Sequence, residues 1–237
     1  MTDGSMSKIP SDADLVNLCN DIYSPTAVMG AWDYINIGGE DGICRAIKKF
    51  DGFDVVVFRG SITPHDWIDD ILVLPIGSIG PQKTPIGNVH FGFYSGMEKV
   101  WAELKPLVTQ PVIVTGHSLG AARADILCGL MKLDGVPPIA RVVFGEPKPG
   151  LMDFGAYIKD VPGRSYRNGN HTHHDLVTDV PLLFPPLQFV HPTPIVVVTA
   201  EPTGDLFSRY GLFAFHHIDL YVTAVTALET TKLETAA

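Results

Sequence analysis

Four short runs rich in β-branched residues punctuate the chain: DVVVF at 54–58, VIVT at 112–115, IARVVFG at 139–145 and IVVVT at 195–199. They are short for helices and show no regular polar alternation to mark a solvent face. They therefore predict strands covered on both sides. Around them the apolar spacing lengthens to that of a helix. Leu15, Leu18, Cys19 and Ile22 share one helical face behind a capping Ser11 or Asp12, and Met97, Val100, Trp101 and Leu104 share another. AARADILCGLMKL (121–133) and HHIDLYVTAVTAL (216–228) predict two more helices, the last with Ile218, Tyr221, Val222 and Val225 turned inward. Strands alternating with helices predict an α/β fold, with a mainly parallel central sheet flanked by helices and a single domain over residues 1–237. On such sheets the chemistry gathers just beyond the carboxyl ends of the strands.

Composition narrows the reading. Hydrophobic residues at 46% against 18% charged exclude a disordered chain. With 26 acidic and 17 basic residues the net charge is −9, which repels phosphate backbones, so no nucleic-acid partner is expected. Cys19, Cys44 and Cys128 have neither disulfide-framework nor metal-ligand spacing. The opening MTDGSMSKIP has no apolar signal core, and no apolar run approaches the roughly 20 residues that span a bilayer. The expectation is a soluble chain without a transmembrane segment, either cytoplasmic or the mature form of a secreted protein.

The first strand end that carries chemistry follows VIVT. Gly116, His117, Ser118, Leu119 and Gly120 form G-x-S-x-G between a predicted strand and a predicted helix. In that context the pattern makes a strained turn that lifts the serine hydroxyl to the sheet edge. The helix behind it aims free N–H groups and a positive partial charge at any developing anion. Ser118 is thus the candidate nucleophile. A serine needs a base, and the base needs an orienting acid. On sheets with this turn the partners follow in the order Ser, acid, His. Two later segments can supply them: HTHHDLVTD at 171–179 and FHHIDLY at 215–221. The first also offers His171, His173, His174 and Asp175 as zinc-type ligands. Adjacent loop histidines seldom converge on one ion, and no H-E-x-x-H helix is present, so no metal is expected.

VVFRGSITPHDWIDD, VHFGF, VTGHSLGAA, VVFGEPKPG, HDLVTDVP and HHIDLY occur in that order between about Val55 and Val222. Together they resemble the class 3 lipase family, the group of the fungal triacylglycerol lipases and their plant and bacterial relatives. The resemblance implies an α/β-hydrolase fold, a short lid segment after the oxyanion-hole strand, and serine ester hydrolysis without a cofactor. It implies that Ser61 and Leu119 supply the oxyanion donors. It places the acid at Asp175, with Asp179 second, and the base at His216, with His217 as the alternative. Trp67, Ile68, Ile71 and Leu72 would face inward from the lid. The chain departs from many members in having Ala121 where they have a third glycine.

The apolar runs PLLFPPLQFV (181–190) and LFSRYGLFAF (206–215) flank the expected acid and base. With Trp67, Phe184 and Leu187 they offer substrate-binding walls, as do Phe189, Leu206, Phe207, Leu212 and Phe213; all could equally be packing. The expected function is a serine carboxylic-ester hydrolase or triacylglycerol lipase acting on short- to medium-chain acyl esters, including those presented at a lipid–water interface. A phospholipase or galactolipid acyl hydrolase is the alternative, and a non-enzymatic interaction module of the same fold is a remoter one.

Overall fold

The computed structural model describes residues 9–24, 29–61, 80–170, 172–181 and 188–236. Helix α1 (Asp12–Asp21) starts at Ser11, whose hydroxyl accepts from Asp14 N–H while the Asp14 carboxylate accepts from Ser11 N–H, a reciprocal cap. A seven-stranded sheet follows, built from β1 (Tyr34–Ile37), β2 (Cys44–Phe50), β3 (Phe53–Phe58), β6 (Val112–His117), β7 (Ala140–Phe144), β9 (Gly163–Asn168) and β11 (Ile195–Val198). Its order is β1-β2-β3-β6-β7-β9-β11. From β3 to β11 every neighbouring pair is parallel, and β1 and β2 add an antiparallel edge. A second, antiparallel sheet of four short strands is ordered β10-β8-β5-β4, with β4 Pro81–Thr84, β5 Gly87–His90, β8 Gly150–Leu151 and β10 Phe189–Val190.

The apolar runs of β3, β6 and β7 are uninterrupted because both faces of the large sheet are covered there; β11, expected to be covered likewise, is an edge strand with Val197 half exposed. Val56, Phe58, Val112 and Val114 enter a core with α3 (Met97–Leu104) and α4 (Leu119–Leu133), after the one-turn α2 (Phe91–Tyr94). Their strand neighbours Val55, Val57 and Ile113 enter a core on the other face. That core holds α1 and the C-terminal α7 (Ile218–Ala236). Between them in the chain lie α5 (Met152–Ile158) and α6 (Gly204–Tyr210). All four expected strands and all four expected helices are present. Leu15 and Cys19 on α1 and Ile22 at its C-terminal cap are buried, as are Ile218, Tyr221 and Val225 on α7. Ala121 is fully buried, so its methyl group is packed into the core.

Two of the additional strands in the large sheet are rich in polar residues. β2 reads CRAIKKF and β9 reads GRSYRN. Buried Arg45 on β2 is satisfied by Asp41, Glu103 and the Ile43 carbonyl. On β9, Arg164 and Tyr166 share the Asp12 carboxylate of α1. Among the described residues no helix is long and apolar enough to cross a membrane.

Candidate active site

β6 runs straight into α4 through Ser118, the one non-glycine residue with positive φ among those described, at φ 60° and ψ −132°. Such a conformation costs about 1–3 kcal/mol and persists where the surroundings enforce it. Here both flanking glycines are required. A Cβ on Gly116 would stand 2.4 Å from the Gly120 carbonyl oxygen, and one on Gly120 would stand 2.3 Å from that of Phe58. The turn is tied back to β7 by Ser118 N–H donating to the Phe144 carbonyl at 3.0 Å.

The end of β3 lies over the same turn. A Cβ on Gly60 would meet the Ser118 Cβ and the His117 carbonyl oxygen at 2.8 Å. Ser61 is the next residue and lines one pocket with His117 and His216. Leu119 opens α4 from the other side. The first N–H groups of a helix have no partner within it, so the Leu119 N–H is of the kind an anion can use.

Asp175 and His216 meet beside this turn. Asp175 is N-cap to the 3-10 turn Leu176–Asp179, its Oδ1 accepting from Val177 N–H at 2.9 Å. Its Oδ2 lies 2.6 Å from His216 Nδ1 and accepts the Tyr221 hydroxyl at 2.5 Å. Burial beside that carboxylate pushes the Tyr221 phenol well above its usual range, so it remains a donor. Asp175, Ser118 and His216 are 0%, 1% and 2% exposed. Ser118 Oγ and His216 Nε2 are both buried without a hydrogen-bond partner. With Nδ1–H given to Asp175, Nε2 is left as the basic nitrogen.

The residue before the serine supports the histidine. His117 stacks on His216 with ring centres 4.6 Å apart. Its Nε2 is 3.0 Å from the His216 carbonyl oxygen and its Nδ1 is 2.7 Å from the Tyr23 hydroxyl. A carbonyl can only accept, so Nε2 carries the proton and Tyr23 donates to Nδ1. Burial, with His216 beside it, holds the His117 imidazole well below its usual range and therefore neutral.

The alternatives have other partners. Asp179 pairs with His174 Nε2 at 2.7 Å. His217 Nδ1 accepts from Asp219 N–H at the start of α7, at 3.4 Å. His173 stacks on Phe215. His171 lies outside the described residues, and among those described no three His, Cys, Asp or Glu side chains converge as a metal site. Trp67, Phe184, Leu187 and the expected lid also lie outside the described residues. Phe189 is core, 2% exposed on β10 against His90. Leu206 packs on the α1–α7 core and Phe207 is exposed. Phe213 lines a pocket of about 220 Å³ with Ser61, His117, His216, Tyr23 and Tyr210.

Sequence reasoning did not single out Gly145, Asn168 or Tyr23. Gly145, at φ +57°, leaves room for the acid–histidine pair: a Cβ there would lie 2.9 Å from Asp175 Oδ2 and 3.0 Å from His216 Nδ1. Asn168 gathers the loops at the carboxyl end of β9, bonding to the main chain of Ala200 and Phe215 through its side chain and to Asp175 N–H through its carbonyl. For Gly145 and Asn168 the signal was position alone, since each stands at a strand end on the expected edge; Tyr23, in the turn after α1, had none.

A family model described as Lipase (class 3) matches residues 55–184. A rice phospholipase A1-II 4 is 26% identical over 228 residues, covering 83% of this chain and 55% of its own length. A secreted mono- and diacylglycerol lipase 1 of Fusarium solani is 32% identical over 146 residues, covering 57% of this chain and 40% of the relative. The chain thus spans about half the length of the curated relatives it matches. In three dimensions it resembles a Rhizomucor miehei lipase–propeptide complex, with TM-score 0.61 and 21% identity over 84% of this chain and 70% of that one. The parallel sheet, the strained serine after its β6 strand and a family match over more than half the chain converge: the chain belongs to the class 3 lipases and has the α/β-hydrolase fold.

Proposed function

We propose that this chain hydrolyses lipid carboxylic esters through an acyl-enzyme on Ser118. The observation that supports this best is the Asp175–His216 contact, with His216 Nε2 and Ser118 Oγ both buried and unpartnered beside it. Ser118 Oγ attacks the ester carbonyl as its proton passes to His216 Nε2, a step worth about 10²- to 10⁴-fold. Asp175 holds the ring and stabilises the imidazolium. The oxyanion is bound by Leu119 N–H and by Ser61 through its N–H and hydroxyl, each donor worth on the order of 10²- to 10³-fold. The tetrahedral adduct collapses, and the leaving alcohol takes the proton from His216. Water then attacks the acyl-serine by the same route, releasing the acid and restoring Ser118. No step draws on a metal or cofactor.

For the substrate we favour neutral acylglycerols with short to medium chains. A pocket of about 220 Å³ is below the roughly 300–1,000 Å³ usual for drug-sized ligands. A net charge of −9 disfavours an anionic phospholipid surface. The second reading, phospholipid acyl hydrolysis, draws on the name of the rice relative that spans most of this chain.

Fluorophosphonate treatment read by intact mass tests the chemistry. One adduct on wild type and none on Ser118→Ala is expected; no adduct on folded wild type, with or without detergent, would overturn the proposal. A panel of acylglycerols and zwitterionic phospholipids of varied chain length then decides the substrate.

A further inference from the structure

A buried polar network lies beneath the site and takes no part in the chemistry above. Arg141 on β7, Asp125 on α4, Glu146 after Gly145 and Ser165 on β9 are each 1% exposed or less. Arg141 pairs with Asp125, stands 3.6 Å from Glu146 Oε1 and donates to Thr193 Oγ1 at 2.6 Å. Glu146 Oε2 accepts the Ser165 hydroxyl at 2.8 Å and faces His191 Nδ1 at 3.1 Å. The other nitrogen, His191 Nε2, lies 2.8 Å from the carbonyl oxygen of Thr178.

Thr178 sits in the 3-10 turn that Asp175 caps. Its hydroxyl donates to the Asp175 carbonyl at 2.7 Å. The turn is otherwise anchored by Asp175 N–H on Asn168 and by Lys148, which reaches the Asp179 and Val180 carbonyls. Together these hold the two ends. The middle is held from outside by His191.

We infer that His191 is a positioning residue for the Asp175 carboxylate: through the Thr178 carbonyl it fixes the turn that aims Asp175 at His216, and the Glu146 network fixes its ring. Both ring nitrogens face oxygens. A carbonyl only accepts, so Nε2 carries a proton and gives it to Thr178. Misaiming the acid costs turnover and leaves ester binding unchanged, which separates this role from plain packing.

The inference rests on the ester-hydrolase proposal, which the wild-type adduct on Ser118 decides by itself. Three variants then test the clamp. His191→Gln carries an amide N–H at the level of Nε2 and keeps the Thr178 contact. His191→Asn carries it at the level of Nδ1 and loses that contact. His191→Leu loses both. Expected is a kcat within about threefold of wild type for Gln and about 10- to 100-fold lower for Asn and Leu, with KM little changed and the rate of Ser118 phosphonylation falling in parallel. Equal losses in all three, or no loss in Asn and Leu, would overturn it. Should Asn and Leu fail to fold, nitrogen-15 NMR of wild type still decides: His191 Nε2 must carry a proton protected from exchange, and an unprotonated Nε2 would sink the clamp.

Discussion

Gly145→Ala is the sharpest test of how the acid and the histidine are held. The added Cβ would stand 2.9 Å from Asp175 Oδ2, 2.9 Å from His216 Cε1 and 3.0 Å from His216 Nδ1. Ordinary contacts begin near 3.5 Å, so the pair must retreat by about 0.5 Å. A catalytic constellation tolerates about that much displacement, and a misplacement of about 1 Å costs on the order of 100-fold. We expect kcat to fall about 10- to 100-fold with KM within twofold. Stability suffers separately. A left-handed alanine costs about 1–2 kcal/mol and overpacking about 1–3 kcal/mol more. At about 2–4 °C per kcal/mol for a chain of this size, the melting temperature should drop by roughly 4–20 °C. Gly135→Ala is the control: φ is +75° but nothing lies within 4 Å of the new Cβ, so it carries the backbone cost alone and kcat should stay at wild type. Assays run well below both melting temperatures, normalised to phosphonate-titrated sites, isolate the chemistry. If Gly145→Ala kept kcat within about threefold and melted like Gly135→Ala, the contact between Gly145 and the pair would not govern turnover.

Asp175→Asn should lower kcat by roughly 10³- to 10⁴-fold, because an amide can hold the wrong tautomer of His216, whereas Asp179→Asn should change it by less than about threefold. Tyr221→Phe removes one donor to Asp175 Oδ2 and the acceptor of Asn168 N–H; steady-state kinetics should show about a tenfold loss in kcat, and chemical denaturation about 1–3 kcal/mol less stability. His90 is buried with an imidazole held down to about 4 by desolvation, below the 6.5 of the unfolded chain. Its contribution is therefore complete above pH 6.5 and is lost as pH falls toward 4; about 2 kcal/mol should go between pH 7 and pH 5, and His90→Leu should flatten that part of a melting curve measured against pH.

The parts of the fold that show in the sequence are those built by burial alone. β3, β6 and β7 announce themselves as apolar runs because helices cover both faces of the sheet, whereas β11 reads the same way although it is an edge strand with Val197 half exposed. β9 does not, although it lies between β7 and β11 in the same sheet. GRSYRN places arginine, serine and tyrosine against carboxylates supplied from α1 and from the end of β7. Those partners are distant in sequence, so no local pattern reveals that the strand is internal. Gly145 and His191 escape notice for the same reason: their importance is a distance to another segment.

The two ambiguities left by the motifs, Asp175 against Asp179 and His216 against His217, have one physical origin. Each pair sits where a short helical turn starts or ends, so residues close in sequence point in different directions. In each pair the second residue has partners of its own, although His217 also lines the pocket beside His216. Asp179, one 3-10 turn beyond Asp175, points toward His174 and Arg167. His217 turns back to receive the free N–H of Asp219 at the head of α7. Asp175, by contrast, spends one oxygen on its own turn and turns the other to His216 and Tyr221. His216 hands its carbonyl to His117 and keeps both ring nitrogens for the site. A side chain whose remaining valence is not used by its own loop is the one free to act across the cleft. That criterion needs the hydrogen bonds of the assembled loops, which spacing along the chain cannot supply.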